Sequence, residues 1–152
     1  MRILRHLDLP PVYLLLVGAG MSLLDSAVPL VRFSNGDALS VAGSVIALAG
    51  LVPAILAAWR MWRARTTIHP HHQPSALVTG GIFALSRNPI YVTDLLLLEG
   101  WALHLGSLSP WIGLPVFMIV VTWRFIRPEE DRLRETFGDA YTAYCQRVRR
   151  WI

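Results

Sequence analysis

The sequence predicts an all-α integral membrane protein with about four transmembrane helices and a cytoplasmic C-terminal amphipathic helical segment. Hydrophobic residues make up 54% of the 152 residues, and the mean hydropathy of +0.47 is far above that of a soluble domain. The apolar residues form long blocks, and all fourteen basic residues are arginines that flank those blocks. This pattern favours the lipid bilayer as the partner over nucleic acid.

The whole chain, 1–152, is predicted to be a single membrane domain whose first span covers residues 10–31. Arg2 and Arg5 precede this span, as basic residues precede the apolar core of a signal peptide. No A-x-A-like cleavage site follows, and the block is long enough to cross a bilayer, so we expect a retained helix. The Gly18-Ala19-Gly20 run has no strand around it and predicts a helix–helix contact.

The second predicted span, residues 38–62, has features of a closely packed membrane helix. Its small residues at packing positions are Gly43, Ala47 and Gly50. We expect Pro53 to bend the helix, so that neighbouring helices must satisfy the carbonyl that it frees. Trp59 and Trp62 near the end, followed by Arg63, predict an aromatic belt at the cytoplasmic surface.

The long connection, residues 63–88, is predicted to be a cytoplasmic loop. Its first half holds three histidines, His69, His71 and His72. Their spacing is not a recognised ligand pattern and no carboxylate is adjacent, so we predict no metal site. The lone Cys145 excludes an internal disulfide and a cysteine-built metal site, and we expect it to serve in packing.

The third predicted span, residues 89–107, carries three ionisable residues, Asp94, Glu99 and His104. Such groups cost roughly 2.5–3.5 kcal/mol each at membrane depth, so they usually face a protein interior. Residues five apart lie about 140° apart around a helix, so these three do not share a face. We expect these three residues to form interhelical hydrogen bonds, and we favour this role over a catalytic one.

The fourth predicted span, residues 111–126, leads into C-terminal helices over residues 128–150. Acidic residues at the start of that segment and arginines at its end complement a helix dipole. We expect Gly138 to divide it into two helices, with Asp139 capping the second.

The distribution of arginines predicts the topology. With the N-terminus in the cytoplasm, Arg32 is the only arginine outside, which is a strong positive-inside asymmetry and predicts an integral cell membrane protein. Both termini are then cytoplasmic. The third and fourth spans form a hairpin, so Asn88 and Arg127 emerge at the same membrane surface.

Residues 75–91, SALVTGGIFALSRNPIY, form a polar, glycine-containing loop between apolar segments. Pro89 suits the first helical position and Asn88 suits the N-cap, so a helix is predicted to begin at Pro89 with its positive dipole end at the loop. Gly80 and Gly81 allow the backbone to approach a ligand closely. The alternative is a membrane loop with a well-formed helix start and no ligand.

Arg127 and Glu129 lie beside the predicted exit of the fourth span. An arginine and a carboxylate at this position are suited to a zwitterionic ligand. The neighbouring acids Asp131 and Glu135 are expected to be solvated.

The pattern LVTGGIFALSRNPIY, then a hydrophobic hairpin, then RPEEDRLRETFGDAYTAYCQRV, resembles the isoprenylcysteine carboxyl methyltransferases. It also resembles their bacterial relatives and the phospholipid N-methyltransferases, over residues 66–152. The resemblance implies S-adenosylmethionine bound without a Rossmann fold at the cytoplasmic end of the hairpin. It further implies a membrane-embedded acceptor, either an isoprenylcysteine-like carboxylate or a lipid.

Carried over by position, the implied cofactor-binding residues are Ser75, Ala76, Leu77, Val78, Phe83, Asn88, Pro89, Ile90, Tyr91 and Glu129. Phe83 stands where the eukaryotic relatives have a tyrosine, and Asn88 stands where they have a histidine. Arg127 corresponds to an arginine thought to face the substrate carboxylate, so the implied catalytic residues are Arg127 and Glu129.

The implied reaction is direct methyl transfer, which requires the nucleophile to be held in line at ~3–3.5 Å. A carboxylate acceptor is ionised at neutral pH and needs no base, whereas an amine needs one, with Glu99 or His104 as candidates. Two other functions remain open. The Asn88 and Phe83 departures favour a non-catalytic four-helix assembly or scaffold protein, and Asp94 with Glu99 favours a small transporter.

Overall fold

The computed structural model describes residues 8–33, 36–66 and 75–152. Its α-helices are α1 (Pro10–Ala27), α2 (Gly36–Arg63), α3 (Pro89–Leu105), α4 (Gly113–Val121) and α5 (Arg127–Arg147). Short 3-10 helices cover Gly81–Ala84 and Ser109–Ile112, and a π-helical turn covers Thr122–Ile126. No strand occurs in these ranges, so the predicted all-α class is confirmed. Arg2, Arg5 and the three loop histidines lie outside the described residues.

The helix ends follow from local sequence. α3 begins at Pro89, as predicted. α1 ends at Ala27 instead of residue 31, because Pro29 disfavours helical backbone at the residue before it. The helical run continues from Ser109 to Arg147, past residue 126, where the predicted fourth span ends. Gly138 interrupts α5 with φ 50° and ψ −121°, which confirms the predicted break there.

Three described helical segments are long and apolar enough to cross a membrane, Pro10–Ala27, Gly36–Arg63 and Ser109–Arg147. The apolar part of the last segment precedes Arg127, because α5 is rich in acids and arginines. α3 has 17 residues, about 26 Å at 1.5 Å per residue, so its span stays a prediction. Large apolar side chains such as Leu15 and Leu48 are exposed, as lipid-facing residues are. The chain is an integral membrane protein.

The described residues form two compact units, and those of the first lie within Met1–Ala49 and Asp94–Val121. Here α2 and α3 approach closely, since a Cβ at Gly43 would lie 2.5 Å from the carbonyl oxygen of Gly100. The predicted close packing at Gly43 is therefore confirmed. His104 Nδ1 lies 2.8 Å from Ser40 Oγ, which is the interhelical hydrogen bond expected of this residue.

In the first unit, a buried carboxylate and a backbone hydrogen bond link the segments that connect the helices. Asp25 is 8% exposed, accepts a hydrogen bond from Ser107 Oγ at 2.5 Å and lies 3.7 Å from the exposed Arg32 guanidinium. Nearby, the Phe33 N–H donates to the Gly106 carbonyl at 2.8 Å. Close helix–helix contacts and short hydrogen bonds therefore stabilise the first unit.

The second unit consists of Gly50–Thr93 and Thr122–Ile152. Pro53 lies inside α2, and the Ala54 N–H donates to Thr93 Oγ1 at 3.0 Å. A side chain of α3 thus bonds the backbone N–H that follows the proline, whereas a partner for the carbonyl that the proline frees stays a prediction. The apolar core of this unit contains Tyr141, Tyr144 and Val148, with Leu77, Leu133, Phe137 and Cys145 packed against it.

Candidate functional site

The loop before α3 is closed by its own side chains. The Asn88 N–H donates to Ser86 Oγ at 3.1 Å, and Ser86 is 3% exposed. Pro89 follows and is fully buried, and it needs no hydrogen-bond acceptor because it has no N–H. The cluster Arg87-Asn88 is thereby fixed at the start of α3.

Residues 149–150, here called the C-terminal strap, bind this loop. The Arg87 N–H donates to the Arg149 carbonyl at 3.0 Å. The Asn88 side-chain amide donates to the Arg150 carbonyl at 2.9 Å, and Ser86 Oγ donates to the same carbonyl at 3.4 Å. α5 ends at Arg147, so the strap leaves the helix and returns to the loop.

Glu130 lies at the centre of the site and is 6% exposed. The Arg150 guanidinium donates to both of its carboxylate oxygens, at 2.9 and 2.6 Å. Arg87 Nη1 lies 3.3 Å from the same carboxylate. Without these arginines the Glu130 carboxylate would be a buried, unpaired charge, which is strongly destabilising. The cluster carries a formal net positive charge.

Arg87 has further contacts that define its environment. Its Nη1 donates to Cys145 Sγ at 2.7 Å, so Cys145 serves in packing and as a hydrogen-bond acceptor. Its Nε is buried and has no hydrogen-bond partner among the described residues. An unpaired buried N–H of a guanidinium is costly, and it is suited to an anionic oxygen of a ligand.

Aromatic side chains fix the 3-10 helix of the loop. Tyr144 Oη donates to the Phe83 carbonyl at 2.6 Å. Burial raises the pKa of Tyr144 to about 12, while Arg87 lowers it and Cys145 raises it. The hydroxyl therefore stays protonated and remains a donor at physiological pH.

Glu129 is half-buried at the first turn of α5. Loss of hydration raises the pKa of its carboxyl to about 7, while Arg132 lowers this pKa and Glu130 raises it. The carboxyl is thus poised between its neutral and charged forms near neutral pH. A nearby cation would favour the charged form, which is a property expected of a residue in a binding site.

The other predicted site residues have different surroundings. Arg127 is exposed, and its guanidinium carbon lies 3.4 Å from the centroid of the Trp123 ring. Ser75 ties the loop to the end of α2, because its Oγ donates to the Arg65 carbonyl at 2.8 Å. Tyr91 is 7% exposed. Ala76 and Ile90 are half-buried.

Leu77 and Val78 line an open groove of about 280 Å³. The other residues on its walls are Arg60, Arg63, Ala64 and Thr79. The volume is slightly below the about 300–1,000 Å³ that is typical of small-molecule sites.

Sequence reasoning missed Glu130 and Arg150. It selected Glu129 by a resemblance, whereas the structure buries the next residue in the ion-pair cluster. It assigned the terminal arginines to a helix dipole, whereas Arg150 follows the helix end. The sequence feature that could have indicated a buried carboxylate is the pair of adjacent acids, Glu129 and Glu130. Neighbouring helical positions point about 100° apart, so the two side chains cannot share an environment.

The fold and site define an all-helical membrane protein with a buried charged cluster beside a polar loop. A family model described as phospholipid methyltransferase matches residues 39–140, and the chain belongs to this family. It is a membrane methyltransferase of a family that acts on lipid-like substrates.

An uncharacterised protein of Haemophilus influenzae is 41% identical over 63 residues. The match covers 41% of this chain and the whole of that relative. No solved structure matches the chain.

Proposed function

We propose that the chain transfers a methyl group from S-adenosylmethionine to a membrane-embedded acceptor, a carboxylate or a lipid headgroup, at the cytoplasmic membrane face. The observation that carries the proposal is the contact between the loop at Arg87-Asn88 and the charged ends of the C-terminal segment, Glu130 and Arg150. Membership of the phospholipid methyltransferase family supports the reaction class, and enzymes of this family typically use S-adenosylmethionine.

The residues present fit this cofactor, which carries an ammonium, a carboxylate and a sulfonium. The Glu129 carboxyl, with its raised pKa of about 7, suits a positive group. The buried Arg87 Nε, which has no partner among the described residues, suits a carboxylate oxygen. The apolar side chains of Leu77 and Val78 suit a nucleobase.

When bound, S-adenosylmethionine supplies a methyl group already activated by the positive sulfur. The chain therefore has to orient the acceptor, exclude water and balance charge. Glu129 would hold the positive side of the cofactor, and the exposed Arg127 guanidinium would orient an anionic acceptor. A carboxylate acceptor reacts as the anion it already is, whereas an ammonium headgroup must first lose a proton to a base.

The test is incubation of membranes containing the protein with methyl-labelled S-adenosylmethionine, followed by identification of the labelled lipid-phase product. Alkali treatment then separates the two reactions, because a methyl ester is hydrolysed and an N-methyl group is not. We expect Glu129→Ala to abolish saturable cofactor binding measured by calorimetry in detergent.

The matched control is Asp131→Ala, which removes an acid two residues further on. Asp131 is exposed and pairs with Arg134 at 2.9 Å, so its removal should leave cofactor affinity unchanged. Equal affinity for the cofactor in the wild type and in Glu129→Ala would contradict the role given to Glu129.

A non-catalytic membrane scaffold is the second candidate. It is favoured by Asn88, whose amide is engaged with the Arg150 carbonyl of the chain itself. A scaffold would show neither cofactor binding nor any effect of Arg127→Ala. Methyl incorporation into a lipid extract would rule it out.

A further inference from the structure

The first unit contains a groove of its own, which lies between α1 and α3 and is here called the α1–α3 groove. Its volume is about 330 Å³, inside the about 300–1,000 Å³ that is typical of small-molecule sites. Leu14 and Leu15 form its wall on α1, and Leu97 and Leu98 form its wall on α3. Charged side chains are absent from the described residues that line it. Leu15 is 73% exposed, so the groove is open to the lipid around the protein.

The polar atoms at one end of the groove are bonded to each other. Trp101 Nε1 donates to Ser22 Oγ at 3.0 Å, and Ser22 Oγ donates to the Gly18 carbonyl at 3.1 Å. Of the residues that line the groove, Ser22 and Trp101 lie furthest from the starts of their helices. Because their polar groups already have partners, this end of the groove suits a hydrocarbon chain.

Asp94 continues the α3 wall toward the other end of the groove. It precedes Leu98 by four residues and Trp101 by seven, so the three side chains share one face of the helix. At 1.5 Å per residue, Asp94 lies about 10 Å from Trp101 along the axis, toward the helix start at Pro89. The Asp94 side chain is half-buried and has no hydrogen-bond or ion-pair partner among the described residues.

A carboxyl group without a partner indicates the kind of ligand. α3 is the predicted third span, and an ionisable group at membrane depth is costly unless it faces a partner or a cavity. His104, in the same helix, has such a partner in Ser40, whereas Asp94 has none in the described chain. A ligand cation would supply one, since a charge-assisted hydrogen bond is about twice as strong as a neutral one. An anionic ligand would be repelled.

We infer that the α1–α3 groove binds a single-chain aliphatic amine, whose hydrocarbon chain lies between the leucines and whose ammonium group donates to Asp94. A primary alkylamine is protonated at neutral pH, as the lysine side chain is. One chain fits better than two, because the groove is near the lower limit of small-molecule sites. Every residue proposed for the methyl donor belongs to the second unit, so this binding does not depend on the proposed methyl transfer.

The test compares three ligands that share one hydrocarbon chain, oleylamine, oleyl alcohol and oleate. Native mass spectrometry measures their binding to the full chain in neutral detergent. We expect the wild type to bind the amine about tenfold more tightly than the alcohol, the size of one hydrogen bond to a charged group. Oleate should bind most weakly. Asp94→Asn should lower the affinity for the amine to that for the alcohol and leave the affinity for the alcohol unchanged.

Glu99→Gln is the matched control, because it removes an acid from the same helix at a position about 140° away from Asp94. Its affinity for the amine should equal that of the wild type. Equal losses in Glu99→Gln and Asp94→Asn would reduce the effect to general negative charge and overturn the site. Equal wild-type affinities for the amine and the alcohol would leave only an apolar chain site and also overturn it. A loss of S-adenosylmethionine affinity in Asp94→Asn would assign Asp94 to the methyl donor instead.

A second variant tests the groove itself. Ala19 lines the groove, so Ala19→Trp should fill it and abolish binding of both the amine and the alcohol. Leu23→Trp is the control, because Leu23 is 70% exposed on α1 and is not among the lining residues. Unchanged amine binding in Ala19→Trp would overturn the site. The same spectra report oligomeric state, and loss of a dimer in place of the ligand would assign the groove to a second copy of the chain. If Ala19→Trp does not fold, the comparison of Asp94→Asn with Glu99→Gln still decides the proposal.

Discussion

Each unit of the protein buries a carboxylate, and the two carboxylates have different partners. Asp25, 8% exposed, accepts a bond from a serine hydroxyl and lies 3.7 Å from an arginine whose side chain is 59% exposed. Glu130, 6% exposed, binds two arginines whose side chains are 14% and 33% exposed. The first arrangement resembles a structural hydrogen bond. The second concentrates charge and leaves Arg87 Nε without a partner in the described chain, which is the kind of site where ligands bind.

The largest expected effect tests the difference between the two buried carboxylates directly. Glu130→Gln leaves Arg87 and Arg150 without a counter-charge, and breaking a buried ion pair costs about 3–5 kcal/mol. Asp25→Asn is the matched change in the first unit and should cost about 1–3 kcal/mol, the range for an unsatisfied buried group. Thermal unfolding in detergent measures both. Equal losses of stability in the two variants would show that the arginines around Glu130 contribute no additional stability.

The second prediction concerns close packing in the first unit. A Cβ at Gly100 would lie 2.5 Å from the Gly43 carbonyl oxygen, so Gly100→Ala should separate the helices and cost about 1–3 kcal/mol. Gly20→Ala is the control, since nothing lies within 4 Å of its Cβ position and alanine favours a helix by about 1 kcal/mol. Destabilisation by Gly20→Ala as large as that by Gly100→Ala would contradict the packing argument.

The third prediction sharpens the functional side of the second unit. Because the pKa of Glu129 is raised to about 7, its ionised fraction rises about tenfold between pH 6 and 8. Affinity for the cationic cofactor should rise with it, measured by calorimetry at both pH values. Glu129→Gln should bind weakly and without this pH dependence. A wild-type affinity that falls as the pH rises would contradict the assignment.

The same carboxyl has the opposite effect on stability. Its pKa in the folded protein lies above the usual 4.5, so the unfolded chain releases this proton first. The free energy of unfolding of the unliganded protein should therefore decrease as the pH rises from about 4.5 to 7. Glu129→Gln should remove this decrease.

The smallest expected effect concerns the aromatic support of the loop. Tyr144→Phe removes the donor to the Phe83 carbonyl and should cost about 0.5–1.5 kcal/mol. Tyr13→Phe is the control, since the Tyr13 hydroxyl bonds Asp8 at a longer 3.3 Å. Thermal unfolding compares the two variants. A larger loss of stability in Tyr13→Phe than in Tyr144→Phe would contradict this prediction.

Sequence reasoning reached those features that depend on local backbone chemistry. The start of α3 at Pro89 and the break at Gly138 both follow from the limits on proline and glycine backbones. The close approach at Gly43 follows from the absence of a side chain.

The pairing of Glu130 with Arg150 could not be read in the same way. It depends on how α5 is rotated, with Tyr141 and Tyr144 in the core, and on a turn after Arg147. The number of spans also stays a prediction, because α3 has only 17 residues.

The C-terminal strap has a consequence for biosynthesis. The Asn88 amide bonds a carbonyl 62 residues later in the chain, so a ribosome inserting this protein has to synthesise Arg150 before the pair can form. Until then, the guanidinium of Arg87 and the carboxylate of Glu130 lack the guanidinium of Arg150. The charged centre is consequently completed only after all the apolar helices have been synthesised.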